Sequence, residues 1–257
     1  MLDLLGYLLF VFVGLLFGLF GSGGSIIIIP VLIYIFKLPI YEATTYSLLL
    51  VFLISFFGTI KHAKQKNLKI NSILVFIMPT IFFTALSRVF LFPAIPDYLV
   101  FFDSTKESML MILFSIVILL ASLALLRPPP IQMNYNFKTT LLFIGILVGL
   151  ITGLLGVGGG FIIVPALVLF AGMNMKQAAS GALFIIMLNT LTAIVLEITI
   201  FNFQFEFLFI SFLLLSALLG TIIGIYLLHK TNQNVTKKLF SIILLLLSLG
   251  IFLFEVI

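Results

Sequence analysis

The sequence predicts an all-α, polytopic membrane protein built from two inverted repeats of five segments each. Three observations lead there. Of 257 residues, 63% are hydrophobic and 8% are charged, against roughly 45–50% and 25% in soluble domains. The apolar residues lie in blocks of about 17–25, the length of a helix that crosses a hydrocarbon core of about 30 Å. The chain also repeats itself: at an offset of 135 residues, Gly14–Leu48 falls on Gly149–Leu183 with 13 of 35 positions identical, where composition alone gives about three or four.

Each half divides into five apolar segments. In the first repeat, 1–127, they are 4–20, 25–36, 42–60, 70–92 and 107–126; in the second, 128–257, they are 139–156, 160–171, 176–200, 205–228 and 236–255. The later segments align at an offset of 126, where Phe114-Ser115 meets Phe240-Ser241, so the stretch near 93–106 is nine residues longer in the first half. The second segment of each half is only about 17 Å long as a helix, too short to span comfortably. It follows a glycine cluster and contains a proline, Pro30 or Pro165. Segments one and two of each half are therefore expected to form a broken or re-entrant pair, which lipid tolerates only where protein or a water-filled cavity surrounds the open backbone.

Lysines and arginines orient the chain. Lys61, Lys64, Lys66 and Lys69 mark the loop 61–69 as cytoplasmic; Arg127 and Lys138 mark the central loop, and Lys230, Lys237 and Lys238 the last one. The stretch 93–106 holds Asp97 and Asp103 against Lys106, and 201–205 carries no positive charge. With the basic loops inside, both termini lie outside and the second half is inverted relative to the first, a common plan for secondary transporters.

Composition also excludes classes. A soluble fold would expose large apolar patches, and the strict alternation of an outer-membrane barrel is missing. No loop-like stretch is long enough for a soluble catalytic domain. The net charge of +5 sits in loops and reads as a topology signal, not as a nucleic-acid surface. With no cysteine, disulfides, thiolate chemistry and Cys-based metal sites are ruled out. Two histidines, His62 and His229, are too few for a His-rich metal centre, and no cofactor motif appears. Met1-Leu2-Asp3 lacks a basic n-region, so no signal peptide is expected. The expected partners are the lipid bilayer of the cell membrane and a small anionic solute, with a homo-oligomer left open. His62, inside the basic loop, reads as a solvated face residue.

Gly21-Ser22-Gly23-Gly24-Ser25 and Gly156-Val157-Gly158-Gly159-Gly160 are the least ordinary features. Glycine leaves backbone N–H groups uncovered, and a helix opening after each cluster would aim its unpaired N–H groups and positive dipole end at the break. Such an end binds anions without a charged side chain, and two of them meeting around one solute form a plausible substrate site. The competing reading is close packing, which also accounts for Gly14/Gly18, Gly149/Gly153 and Gly220/Gly224 as small-xxx-small pairs. A doubled Gly-x-Gly-Gly-Gly run followed by proline resembles the TauE/SafE family of sulfite and organosulfonate exporters. Its best match runs from Gly156 through Gly160 to Pro165 and then Gln177-Ala178-Ala179-Ser180; the first copy departs with Ser25 in place of glycine and Glu42-Ala43-Thr44-Thr45 downstream. The resemblance covers essentially the whole chain. It implies transport of small, often sulfur-containing anions, with possible ion coupling.

Polar residues inside apolar segments add candidates. Glu42 and Gln177 occupy the same repeat position, with Thr44, Thr45 and Ser180 just beyond; they suit either helix capping or solute contact. Arg88 and Glu197 lie within long apolar segments, where ionisable groups are costly and usually functional. Arg88 is a candidate anion ligand or a snorkelling group. Glu197, with Glu42, is a candidate for proton coupling. Asn189 and Thr190 read as bridges between helices. Two alternatives remain: a passive anion channel, or a membrane subunit of a larger assembly. Gly21-Ser22-Gly23 faintly resembles the serine motif of rhomboid-like intramembrane proteases, but no histidine sits where a serine nucleophile needs one.

Overall fold

The computed structural model describes residues 2–21, 23–64, 73–99, 104–126 and 137–256. In chain order the helices are α1 (Leu2–Phe20), α2 (Ser25–Pro30), α3 (Ile40–Lys64), α4 (Leu74–Leu86), α5 (Phe92–Ala94), α6 (Lys106–Leu126), α7 (Phe137–Leu155), α8 (Gly160–Leu169), α9 (Met175–Thr199), α10 (Phe207–Lys230) and α11 (Gln233–Val256). The only strands among the described residues are β1 (Tyr98–Leu99) and β2 (Ser104–Thr105), a two-residue antiparallel ladder. Among the described residues, six helices are long and apolar enough to cross a membrane: Ile40–His62, Leu74–Ala94, Lys106–Leu126, Met175–Thr199, Phe207–Leu228 and Asn234–Glu255. The other four apolar helices, Leu5–Phe20, Ser25–Ile35, Thr139–Leu155 and Gly160–Leu169, are shorter. They are the four flanking the glycine clusters, so the chain is a polytopic helical membrane protein with two glycine-broken helix pairs.

Proline and glycine explain the irregularities. Pro30 ends α2, and the helix continues as a π-helical turn over Val31–Ile35; a proline lacks the N–H of a regular turn and crowds the carbonyl before it. A second π-helical turn, Ser87–Leu91, joins α4 to α5. Such turns rotate the side chains that follow and often occur at functional sites. This one carries Arg88.

Helices of residues 1–127 pack chiefly on helices of residues 128–257: α1 on α10, α4 on α7, α3 on α9 and α6 on α11. Small residues allow the close approaches. A methyl group on Gly14 would lie 1.8 Å from the Ala217 carbonyl oxygen, and one on Gly149 2.7 Å from that of Thr80. In lipid no hydrophobic force drives helices together, so van der Waals contact between close backbones supplies much of the attraction. In α3 and α9 about two thirds of the spanning residues are buried (67% and 61%), against 28% in α11. The α3–α9 pair is therefore the centre of the bundle. Apolar side chains such as Met78, Leu120, Phe207 and Leu208 point outward, as a lipid-facing surface requires.

His62 departs from expectation. Instead of lying in a solvated loop, it is fully buried, because α3 continues to Lys64 and carries the imidazole onto a packed face. Ser22, Lys66, Lys69 and Arg127, all cited from the sequence, lie outside the described residues.

Candidate functional site

Four of the candidate residues converge. Arg88 and Glu197 are both fully buried and form the one ion pair among the described residues, Arg88 Nε donating to Glu197 Oε1. Arg88 Nη1 and Nη2 both donate to Thr44 Oγ1 at 3.2 Å, and Nη2 also to Thr45 Oγ1 at 2.9 Å. Each threonine hydroxyl gives its own proton to the Tyr41 carbonyl at 2.9 Å, which leaves oxygen lone pairs for the guanidinium. The Tyr41 hydroxyl donates to the second carboxylate oxygen, Glu197 Oε2, at 2.8 Å. The first turn of α3, the π-helical turn after α4 and the last turns of α9 thus share one network.

The cluster carries a second cation. Lys106, at the start of α6, is 8% exposed and donates from Nζ to the Phe92 carbonyl at 2.7 Å. Its ammonium lies 4.1 Å from the Phe92 ring centre, and the Arg88 guanidinium carbon lies 4.4 Å from the same ring. Aromatic faces attract cations, more so when water is excluded. Two buried cations therefore share one ring; Glu197 ion-pairs with Arg88, and the Asp97 carboxylate acts on Lys106 through space. Cations this close to one another repel, and an anion between them relieves that repulsion.

Both glycine clusters break the chain, and the helices that follow them, α2 and α8, pack against each other. Gly156 has a left-handed φ of +68°, and a Cβ there would lie 2.8 Å from Thr44. The second break therefore abuts the Arg88 network. Gly21 abuts Ala179 near the start of α9, its would-be Cβ 2.4 Å from that Cα. Because α3 and α9 run antiparallel, with Tyr41 meeting Glu197 and Gly58 meeting Leu183, Gly156 and Gly21 lie toward opposite ends of the central pair, whereas Gly158 lies against Val51, Ile186 and Thr190, midway along it. The two breaks differ in conformation as well: Gly159, which caps α8, is left-handed at φ +69° whereas Gly24, which caps α2, is right-handed at −69°. At α8 the Thr152 Oγ1 is buried with no hydrogen-bond partner and lies 2.2 Å from where a Gly159 Cβ would be.

The remaining candidates are dispersed. Ser180 is buried and its hydroxyl has no partner. Gln177 is half-buried and lends its backbone N–H to Asn174, the residue that caps α9. Glu42 is half-buried in the first turn of α3, outside the ion pair. Ser25, Gly23, Gly24, Gly158 and Gly160 are buried within the breaks. Asn189 and Thr190 do not bridge helices: the Thr190 hydroxyl donates back to Ile186 within α9, and neither amide atom of Asn189 finds a partner. A threonine's carbonyl one turn back is always within reach, and that local bond wins. Sequence reasoning missed Tyr41, Phe92 and Lys106, whose only signal was a lysine in an otherwise acidic stretch. No group of His, Cys, Asp and Glu able to hold a metal occurs among the described residues.

A polytopic helical bundle with interrupted helices and buried charge at the break is an architecture that membrane transporters use. Comparison bears this out. Residues 6–251 match the family of the sulfite exporter TauE/SafE, and the chain belongs to that family. It is 26% identical over 249 residues to a probable membrane transporter protein of Methanocaldococcus jannaschii, covering 90% of this chain and 87% of the relative. It is 31% identical over 180 residues to a probable membrane transporter protein of Haemophilus influenzae, covering 66% of this chain and 64% of the relative. No solved structure matches the chain.

Proposed function

We propose that the chain is a secondary transporter of the cell membrane that moves a small oxyanion, sulfur-containing such as sulfite or a sulfonate, with Arg88 as its main ligand. The observation that carries this reading is the pair of buried cations, Arg88 and Lys106, on one aromatic ring, with Arg88 ion-paired to Glu197. A guanidinium presents a planar fork of donors that fits an oxyanion. Here Nε is held by Glu197 and the two Nη groups by Thr44 and Thr45, so the carboxylate and the anion compete for one cation. Protonation of Glu197 releases Arg88 to the solute, and loss of that proton restores the pair and expels it. Proton movement and anion movement are thereby coupled. The uncapped start of α8, with Thr152 beside Gly159, extends the donor set.

The packing supports two inverted repeats, 1–127 and 128–257, and the basic loops support placing both termini outside. Under the 135-residue offset α1 corresponds to α7, and by chain order α4 corresponds to α10, so α1 on α10 and α7 on α4 are one pairing made twice. The detail agrees. Gly153 lies against the Thr84 oxygen and the Arg88 nitrogen; Gly18 lies against the Thr221 oxygen and the Ile225 nitrogen. Ile225 thus takes the place of Arg88 in the second half.

Sulfite uptake into proteoliposomes tests the function. Saturable flux that follows an imposed proton gradient and disappears in Arg88→Gln is the expected result. Conductance without saturation, untouched by Arg88→Gln, returns the chain to the channel reading.

A further inference from the structure

We infer that the transporter has a second anion site at the opposite end of the α3–α9 pair, formed by Ser180 and His62 with Lys176 beside them. This inference rests on the anion reading above. It begins from one unexplained atom: the Ser180 hydroxyl is fully buried and makes no hydrogen bond, in an interior where an unmade bond costs free energy. Under the repeat Ser180 corresponds to Thr45, whose hydroxyl accepts from Arg88 at 2.9 Å. The same position that serves the charged site in one half is therefore buried and unused in the other.

The helix register supplies the neighbours. Going along the antiparallel pair, Tyr41 meets Glu197, Leu48 packs on Ala193 and Ile194, and Gly58 touches Leu183. One turn further, His62 comes level with Ala179 and Ser180. His62 is fully buried and corresponds to Glu197 under the 135-residue offset, as Lys176 corresponds to Tyr41. The Tyr41–Glu197 contact thus has Lys176 and His62 as its counterpart. The first glycine break completes the parallel, Gly21 abutting Ala179 as Gly156 abuts Thr44.

The chemistry differs from the first site in one respect. Where the Arg88 site contains a carboxylate, this one contains an imidazole, and Glu42 of the first half becomes Gln177 in the second. All its functional groups are donors or cations. Lys176 lies in the first turn of α9, where a positive charge opposes the helix dipole and a bound anion relieves the conflict. The ligand class is the small oxyanion that leaves the Arg88 site, taken up before it leaves the protein.

Thermal stabilisation of purified protein by sulfite separates the two sites. Arg88→Gln and Ser180→Ala should each keep part of the stabilisation and raise the half-saturating sulfite concentration about tenfold, the effect of one lost hydrogen bond to a charge. The double variant should lose the response. His62→Gln should act as Ser180→Ala does. If Ser180→Ala and His62→Gln both respond as the wild type, or Arg88→Gln alone abolishes the response, the second site is wrong. Loss in Ser180→Ala with full retention in Arg88→Gln upholds it and overturns the Arg88 site instead. A wild-type protein that sulfite does not stabilise overturns both.

Discussion

Arg88 and Glu197 are separated by 109 positions in the chain and meet, fully buried, as an ion pair that also holds Thr44, Thr45 and Tyr41. The pair joins the end of the α4 segment to the end of α9, and so joins residues 1–127 to residues 128–257. Removing either partner should loosen the bundle and alter transport together.

The coupling within the pair is measurable. Arg88→Gln or Glu197→Gln leaves a buried partner charge uncompensated, and each should destabilise the protein by about 3–5 kcal/mol. The double variant should cost clearly less than the sum. Unfolding of purified protein in a double-mutant cycle checks this, and strict additivity would show that the two side chains do not interact.

Proton dependence should reside in Glu197. Flux in the wild type should rise as pH falls, because a protonated Glu197 no longer holds Arg88. Glu197→Gln fixes the neutral form and should flatten that profile while anion binding persists. A pH profile in Glu197→Gln that matches the wild type would remove Glu197 from the coupling mechanism.

Thr152 tests the start of α8 more cleanly than the glycines do. Valine at Gly159 or Gly24 would strike protein in either case, since a Cβ at Gly24 lies 2.1 Å from the Val13 oxygen and one at Gly159 lies 2.2 Å from Thr152 Oγ1. Thr152→Val keeps the shape and removes a buried hydroxyl without a partner. Stability should hold or rise slightly, while sulfite flux should fall. Flux unchanged in Thr152→Val would make the second glycine cluster a packing device.

At the α1–α10 contact the expectation is the reverse. Gly14→Val places atoms against the Ala217 backbone, where even a Cβ would lie 1.8 Å from oxygen, and should destabilise by about 3 kcal/mol. Any loss of flux should parallel the loss of folded protein. A stable but inactive Gly14→Val would give this contact a functional role.

Topology can be read chemically because the chain has no cysteine. Single cysteines at positions 67 and 233 should be protected from an impermeant external thiol reagent, and one at position 202 should react. If positions 67 and 202 label from the same side, the inverted arrangement fails.

The sequence by itself determined the class, the ten apolar segments and the two breaks, because each of these is local. A hydrophobic run of sufficient length makes a helix in lipid wherever it lies, and glycine followed by proline interrupts one. The segment predicted at 160–171 is α8 at Gly160–Leu169, and that predicted at 176–200 is α9 at Met175–Thr199. The family was legible for the same reason, since its motif is a contiguous run. Arg88, Glu197, Thr44 and Thr45 could each be singled out as a polar residue in apolar surroundings. Only the tertiary structure decided that they form one network with Tyr41, Phe92 and Lys106, that His62 is buried, and that Gly156 abuts Thr44 while Gly21 abuts Ala179. Those relations depend on how distant helices pack and in which register. Helix register in lipid is set by small residues and side-chain contacts across the interface, which a linear pattern of hydrophobicity does not encode.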